Sequence, residues 1–233
     1  MIYIRSAIFY MLLALITLVV GACGLVTFIT FNQKFISYVG CIWANIVLFC
    51  LKHVCNVQTK IAGLSNLPKA PFIIASKHQS AWETIFFLKQ FIVPAFVLKK
   101  ELLRIPVYGW YLPAMGMIYI DRGSKASIKT IKDQAAKLIS NNRITIIFPE
   151  GTRIPYGEVA GYKAGIYSIH QASVETPVIP VALNSGKIWP KKSWLIQPGT
   201  ITIKFLSAMP KGLSKTEFLS HLQDVVEKEC SGL

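Results

Sequence analysis

The chain opens on two long apolar runs. Residues 6–33 carry no charged side chain over 28 positions, and after Lys34 a second charge-free run covers 17 positions, 35–51. A helix crosses a bilayer in about 20 residues, so the first run is long enough to span. Asn32, Gln33 and Lys34 separate the two runs, and the pattern predicts a helical hairpin with a very short polar turn. Such a turn suits a hairpin that crosses the membrane and equally one that lies within one leaflet. "VGAC" at 20–23 resembles a lipoprotein processing site, but the chain stays apolar through Phe31 instead of turning polar as a cleaved leader would.

From about residue 56 the pattern changes. Short apolar runs predict strands at 57–62, 71–76, 95–98, 117–120, 144–148, 178–183 and 200–206. Helical periodicity falls between several of them. Ile128, Ile131, Ala135, Leu138 and Ile139 form one apolar face across 124–140. Ser214 and Glu217 have the spacing of a capping box that opens a last helix. Strands alternating with helices predict an α/β domain. The chain divides into a membrane-anchoring helical hairpin over 1–55 and a domain over 56–233, with no internal repeat.

Composition sharpens this picture. The chain is 53% hydrophobic, with a mean hydropathy of +0.47, and only 15% of its residues are charged, against about a quarter in soluble domains. Yet its formal net charge is +14. High apolarity with excess positive charge points to an anionic lipid surface. Nucleic acid is the competing partner for a basic chain, but no zinc finger, aromatic RNA-binding motif or arginine-rich tract is present. "KIWPKKSW" at 187–194 sets three lysines among Trp189 and Trp194, a composition suited to the headgroup layer, or to a solvated basic loop. The five cysteines show no C-x-x-C spacing; they suit a reducing cytosol and read as small apolar side chains.

The candidate chemistry lies in two stretches. "KHQSAWET" at 77–84 follows the predicted strand 71–76 and places Glu83 five residues after His78. On one regular helix that spacing is roughly 500°, leaving the side chains about 140° apart. They meet only if His78 precedes the helix, on the strand-to-helix turn. Ser80 and Glu83 have capping-box spacing for a helix 81–90, so Glu83 has a purely structural reading too. A neutral imidazole, of ordinary pKa about 6.5, is a suitable general base if a carboxylate fixes its tautomer. His53, His170 and His221 have no such partner and read as structural. "FPEGTR" at 148–153 follows the strand 144–148. Gly151 permits a turn closed to residues with a β-carbon. That turn presents Glu150, Thr152 and Arg153 at a strand end, where α/β domains bind ligands, and an arginine fork matches phosphate oxygens.

Together "HQSAWE" and "FPEGTR" resemble the acyltransferase family that includes 1-acyl-sn-glycerol-3-phosphate acyltransferases. "KKELLRIPVYGW", "GMIYIDRG" and the late "VIPVAL" at 178–183 follow that family's order and spacing over roughly 57–207. The departure is Glu83, where the family usually has Asp; the charge is kept and the side chain is one methylene longer.

The resemblance implies a glycerolipid acyltransferase-type α/β fold, a mixed sheet flanked by helices and preceded by the hydrophobic two-helix hairpin. It implies His78 as general base and Glu83 as its orienting carboxylate. It implies a phosphate site of Glu150, Gly151, Thr152 and Arg153, with Arg122 or Lys100 nearby, and no metal or cofactor. The implied partners are lysophosphatidic acid, an acyl carrier protein or coenzyme A thioester, and the lipid bilayer, with no nucleic acid. The implied location is the cytoplasmic (inner) membrane, with the active site facing the cytoplasm. Another lyso-lipid, such as lyso-ornithine lipid or a lysophospholipid, or glycerol 3-phosphate itself, is the alternative acceptor. A non-catalytic lipid-binding protein has no need of a base. A serine hydrolase built on Ser80 lacks the G-x-S-x-G context.

Overall fold

The computed structural model describes residues 1–26, 32–106, 108–120 and 126–233. Helices α1 (Ile2–Gly24) and α2 (Gln33–Cys55) are each long and apolar enough to cross a membrane. Asn32, expected in the turn, caps α2: its side-chain oxygen accepts the N–H groups of Lys34 and Phe35. The two helices pack on each other. Trp43 Nε1 donates to Thr17 Oγ1 at 3.1 Å, and a β-carbon on Gly24 would lie 2.7 Å from Val39 Cγ1.

Among the described residues seven strands form one sheet: β1 (Val57–Ala62), β2 (Ile73–Ser76), β3 (Ala95–Lys99), β4 (Ile118–Ile120), β5 (Thr145–Ile147), β6 (Val178–Leu183) and β7 (Gly199–Phe205). Their order is β1-β7-β6-β2-β5-β3-β4. The run from β6 to β4 is parallel throughout. β7 is antiparallel to β6, and β1 is parallel to β7. All seven predicted strands are present, with ends shifted by a residue or two.

The other helices among the described residues are α3 (Trp82–Gln90), α4 (Tyr108–Ala114), α5 (Ala126–Ser140), α6 (Gly165–His170), α7 (Ser185–Ile188) and α8 (Lys215–Ser231). Alternate strand residues face opposite layers, as the pleat requires. In β2, Ile74 joins a core with Phe9, Val47, Leu51 and Phe87. Its neighbours Ile73 and Ala75 join Ile131, Ile166, Phe218 and Leu222 on the other face. The sheet is thus the middle of three layers, with the hairpin and α3 on one side and α5, α6 and α8 on the other. The first core runs without a break across residue 55. Ser214 and Glu217 form the reciprocal capping box of α8.

This topology fixes where chemistry can occur. The C-terminal ends of β6, β2, β5, β3 and β4 share one edge of the sheet, while β7 and β1 begin there. α2 enters β1 through Asn56, so the last turn of the hairpin meets that same edge.

Candidate active site

His78 leaves the C-terminal end of β2, and FPEGTR leaves the adjacent end of β5. Every residue from Phe72 to Ser80 is buried except His78, whose side chain keeps 16% exposure. Its Nδ1 lies 2.8 Å from Glu83 Oε1, so Glu, one methylene longer than Asp, reaches the ring. A carboxylate only accepts, so Nδ1 carries the proton and Nε2 keeps its lone pair. The ring also stacks on Phe148, with centroids 4.0 Å apart and planes at 18°.

Glu83 is fully buried. It accepts five hydrogen bonds: from His78 Nδ1, from the N–H groups of Gln79 and Ser80, and from the hydroxyls of Ser80 and Ser185. The N–H of Trp82, at the start of α3, donates to Ser80 Oγ. The capping-box reading of Glu83 holds only in part: its Oε1 accepts the Ser80 N–H, but α3 is capped at Ala81 without a side-chain bond, and Ser80 Oγ takes the N–H of Trp82 instead of that of Glu83; the same carboxylate holds the imidazole. Burial alone raises its pKa; the bonds and charge of His78, the Ser80 N–H and the Ser185 hydroxyl outweigh burial and hold it below the usual carboxylate range.

The FPEGTR turn closes with Gly151 N–H on Phe148 O at 2.9 Å. Gly151 has φ +69°, and a β-carbon there would stand 3.2 Å from Lys163 Nζ. Lys191 Nζ donates to Thr152 Oγ1 at 3.4 Å and to Arg153 O at 3.1 Å. Lys163 and Lys191 thus lie against the loop that carries Arg153, and among the described residues none of the three is paired with a carboxylate. The spacing 148–153 gave no sign of Lys163 or Lys191, which belong to later segments folded back over the loop.

Glu150, grouped with the phosphate site in the sequence, has its carboxylate turned inward. It is 2% exposed, its Oε2 accepts the N–H of His78 at 2.7 Å, and its Oε1 pairs with Lys77 Nζ at 2.7 Å. A buried carboxylate so engaged offers a phosphate only repulsion. Burial raises its pKa, which Lys77 only partly offsets, to about 7. Lys77 is itself 1% exposed. Burial lowers its pKa, but Glu150 and Glu227 together push it above the ordinary lysine value.

Lys100 is exposed where β3 runs into a 3-10 turn, Lys100–Arg104, on the same sheet edge. Arg122, expected after β4, lies outside the described residues. The three other histidines stand apart from the site. His53 packs on Phe49, His170 stacks on Phe218, and His221 is exposed on α8.

An apolar cleft opens between the hairpin and the sheet. Val20, Val39, Trp43, Leu98 and Met115 line it, together with Thr84, the residue after Glu83.

A model of the acyltransferase family matches residues 58–184, from β1 to just past β6. The chain belongs to the acyltransferase family. Over 210 residues it is 36% identical to the 1-acyl-sn-glycerol-3-phosphate acyltransferase of Pseudomonas aeruginosa, which covers 88% of this chain and 80% of that protein. It is 28% identical to the enzyme of that name from Saccharomyces cerevisiae over 162 residues, 67% of this chain and about half (53%) of the yeast protein. The fold matches the crystal structure of the 1-acyl-sn-glycerophosphate acyltransferase of Thermotoga maritima, with a TM-score of 0.81 at 24% identity over 100% of this chain and 97% of that one. The two-motif edge is thus the candidate catalytic edge of an acyltransferase.

Proposed function

We propose that the protein transfers an acyl chain from a thioester to the sn-2 hydroxyl of 1-acylglycerol 3-phosphate, giving phosphatidic acid. The observation that carries this reading is the His78–Glu83 pair: a base whose Nδ1 is held at 2.8 Å and whose side chain keeps 16% exposure at the sheet edge. The names of the relatives from Pseudomonas and yeast support the acceptor.

His78 Nε2 removes the hydroxyl proton as the oxygen attacks the thioester carbonyl. The buried charge of Glu83 stabilises the imidazolium that forms. When the tetrahedral intermediate collapses, the C–S bond breaks, and the imidazolium returns its proton to the leaving thiolate. No acyl-enzyme forms. The cations at Arg153, Lys163 and Lys191, without a carboxylate partner among the described residues, suit a phosphate dianion, and the apolar cleft beside Thr84 suits an acyl chain. Acyl carrier protein and coenzyme A both supply such a thioester. The two apolar helices suit the cytoplasmic (inner) membrane, with the catalytic edge on the cytoplasmic side.

The test uses the full chain in detergent micelles, with a labelled acyl thioester and a panel of lyso-lipids and glycerol 3-phosphate. Labelled phosphatidic acid is the expected product, and His78→Ala lowers turnover about 10²–10⁴-fold. A stronger preference for another acceptor, or near-normal turnover without His78, overturns the reading.

A further inference from the structure

The peptide unit of His78 is gripped from both sides by one loop. Its N–H donates to Glu150 Oε2 at 2.7 Å, and its carbonyl accepts the N–H of Ile154 at 2.8 Å. The position of the base therefore depends on where Glu150 sits. Glu150 is in turn held by Lys77, the residue just before His78.

Lys77 does more than neutralise Glu150. Its ammonium donates to both oxygens of Glu227, at 2.7 and 2.9 Å, and to the carbonyl of Glu158 at 3.3 Å. Glu227 lies on α8, 150 positions along the chain from Lys77, and Tyr162 donates its hydroxyl to Glu227 Oε1 at 3.2 Å. The result is a relay from α8 through Lys77 and Glu150 to the main chain of His78, buried at Lys77 and Glu150 and partly exposed at Glu227. Burying a lysine and a glutamate costs heavily in desolvation, and an apolar pair of the same volume often serves stability as well or better. An ionic relay ending on a catalytic residue is better accounted for by orientation than by stability.

We infer that Lys77 and Glu227 are positioning residues, which hold Glu150 against the His78 main chain and so aim Nε2 at the acceptor hydroxyl. Neither touches substrate. The C-terminal helix is then part of the catalytic apparatus, through Glu227, although it lies outside the segment 58–184 matched by the family model. The inference rests on His78 acting as the base.

The test compares the full chain with Glu227→Gln, Lys77→Met and the double variant Lys77→Met/Glu150→Gln. Each is assayed in micelles for kcat, acceptor KM and thermal midpoint. Glu227→Gln keeps an accepting oxygen for Lys77 but removes the charge. It should lower kcat per folded molecule about 10-fold or more, since a misplacement near 1 Å costs up to about 10²-fold, while acceptor KM stays within about twofold. Lys77→Met leaves the buried Glu150 without its cation and should lose both kcat and stability. The double variant removes both charges, and the amide oxygen introduced by Glu150→Gln can still accept the His78 N–H, so it should recover stability and part of kcat.

A second readout does not depend on turnover. Diethyl pyrocarbonate modification of His78, followed by peptide mass spectrometry, should become several-fold faster in Glu227→Gln as the ring leaves its seat on Phe148. Loss of stability with unchanged kcat per folded molecule and an unchanged His78 modification rate would make the relay merely structural and overturn the inference. A wild type that fails to acylate lysophosphatidic acid, but whose His78 modification responds as expected, would sink the acceptor assignment and leave the relay standing.

Discussion

Ser185 donates its hydroxyl to Glu83 Oε2 at 2.7 Å, across 102 positions of the chain. The bond ties the end of β6 to the carboxylate that orients His78. Hydrogen bonds to charged groups contribute about 1.5–3 kcal/mol each. Ser185→Ala should therefore lower the thermal midpoint and also slow acyl transfer, because Oε2 keeps only the 3.1 Å bond from Ser80. Calorimetry and turnover on the same preparation separate the two effects. An unchanged rate per folded molecule would mean that Glu83 needs no support from β6.

Glu83→Gln is the sharper perturbation of the same pair. A glutamine can leave its oxygen with the three N–H donors now on Oε1 and turn its NH₂ toward the hydroxyls of Ser80 and Ser185. Those hydroxyls rotate and can accept. The fold should thus survive nearly intact while the imidazolium loses its counter-charge, and turnover should fall about 10²-fold or more. Glu83→Asp keeps the charge but shortens the reach, and its rate should lie between the two. A ranking with Gln above Asp would show that distance, not charge, decides.

The strands and the hairpin were legible because apolar, β-branched runs mark buried parallel strands, and because a bilayer-crossing helix needs an uncharged run of just that length. The short helices α4, α6 and α7 were not. One or two turns have little intrinsic stability and form through tertiary packing, as where Trp189 N–H closes α7 on Ser185 O. Local pattern also gave no hint that β7 runs against β6, since direction is set by the connection. The site was half legible. His78, Glu83 and Gly151 are close in sequence to what they act with. Lys77, Ser185 and Glu227 are joined to the site across long separations, and the FPEGTR motif says nothing of which way the Glu150 carboxylate turns.

Glu150 makes a prediction about pH. Its folded pKa is raised to about 7, against about 4.3 in an unfolded chain. The folded state therefore holds this proton more tightly, and Glu150 favours folding most below about pH 4.3. Its contribution declines as pH rises toward about 7 and is flat above. Glu83 works in the opposite sense: its lowered pKa favours folding above about pH 4.3, and that support is lost as pH falls through the folded value. In Glu150→Gln the decline between about pH 4.3 and 7 should vanish, so the variant gains on the wild type across that window and holds a constant difference beyond it. Parallel melting curves against pH would mean that Glu150 is ionised throughout.

Arg153 separates the candidate acceptors. It sits on the FPEGTR turn with no carboxylate partner among the described residues, and Lys191 braces the turn through the Arg153 carbonyl. A guanidinium aligns two N–H groups with two phosphate oxygens; an ammonium offers a single point charge. With lysophosphatidic acid as acceptor, Arg153→Lys should raise acceptor KM about tenfold, the effect of about 1.4 kcal/mol. The increase is limited because Lys163 and Lys191 still supply charge around the loop. Donor KM should change much less, and kcat should hold, since His78 and Glu83 are untouched. Lyso-ornithine lipid has no phosphate to gain from the fork, so its use should fall far less, and selectivity for the phosphate-bearing acceptor should shrink. Equal losses for both acceptors, or an unchanged KM for lysophosphatidic acid, would place Arg153 outside the headgroup site and move the search for the phosphate ligand to Lys163 and Lys191.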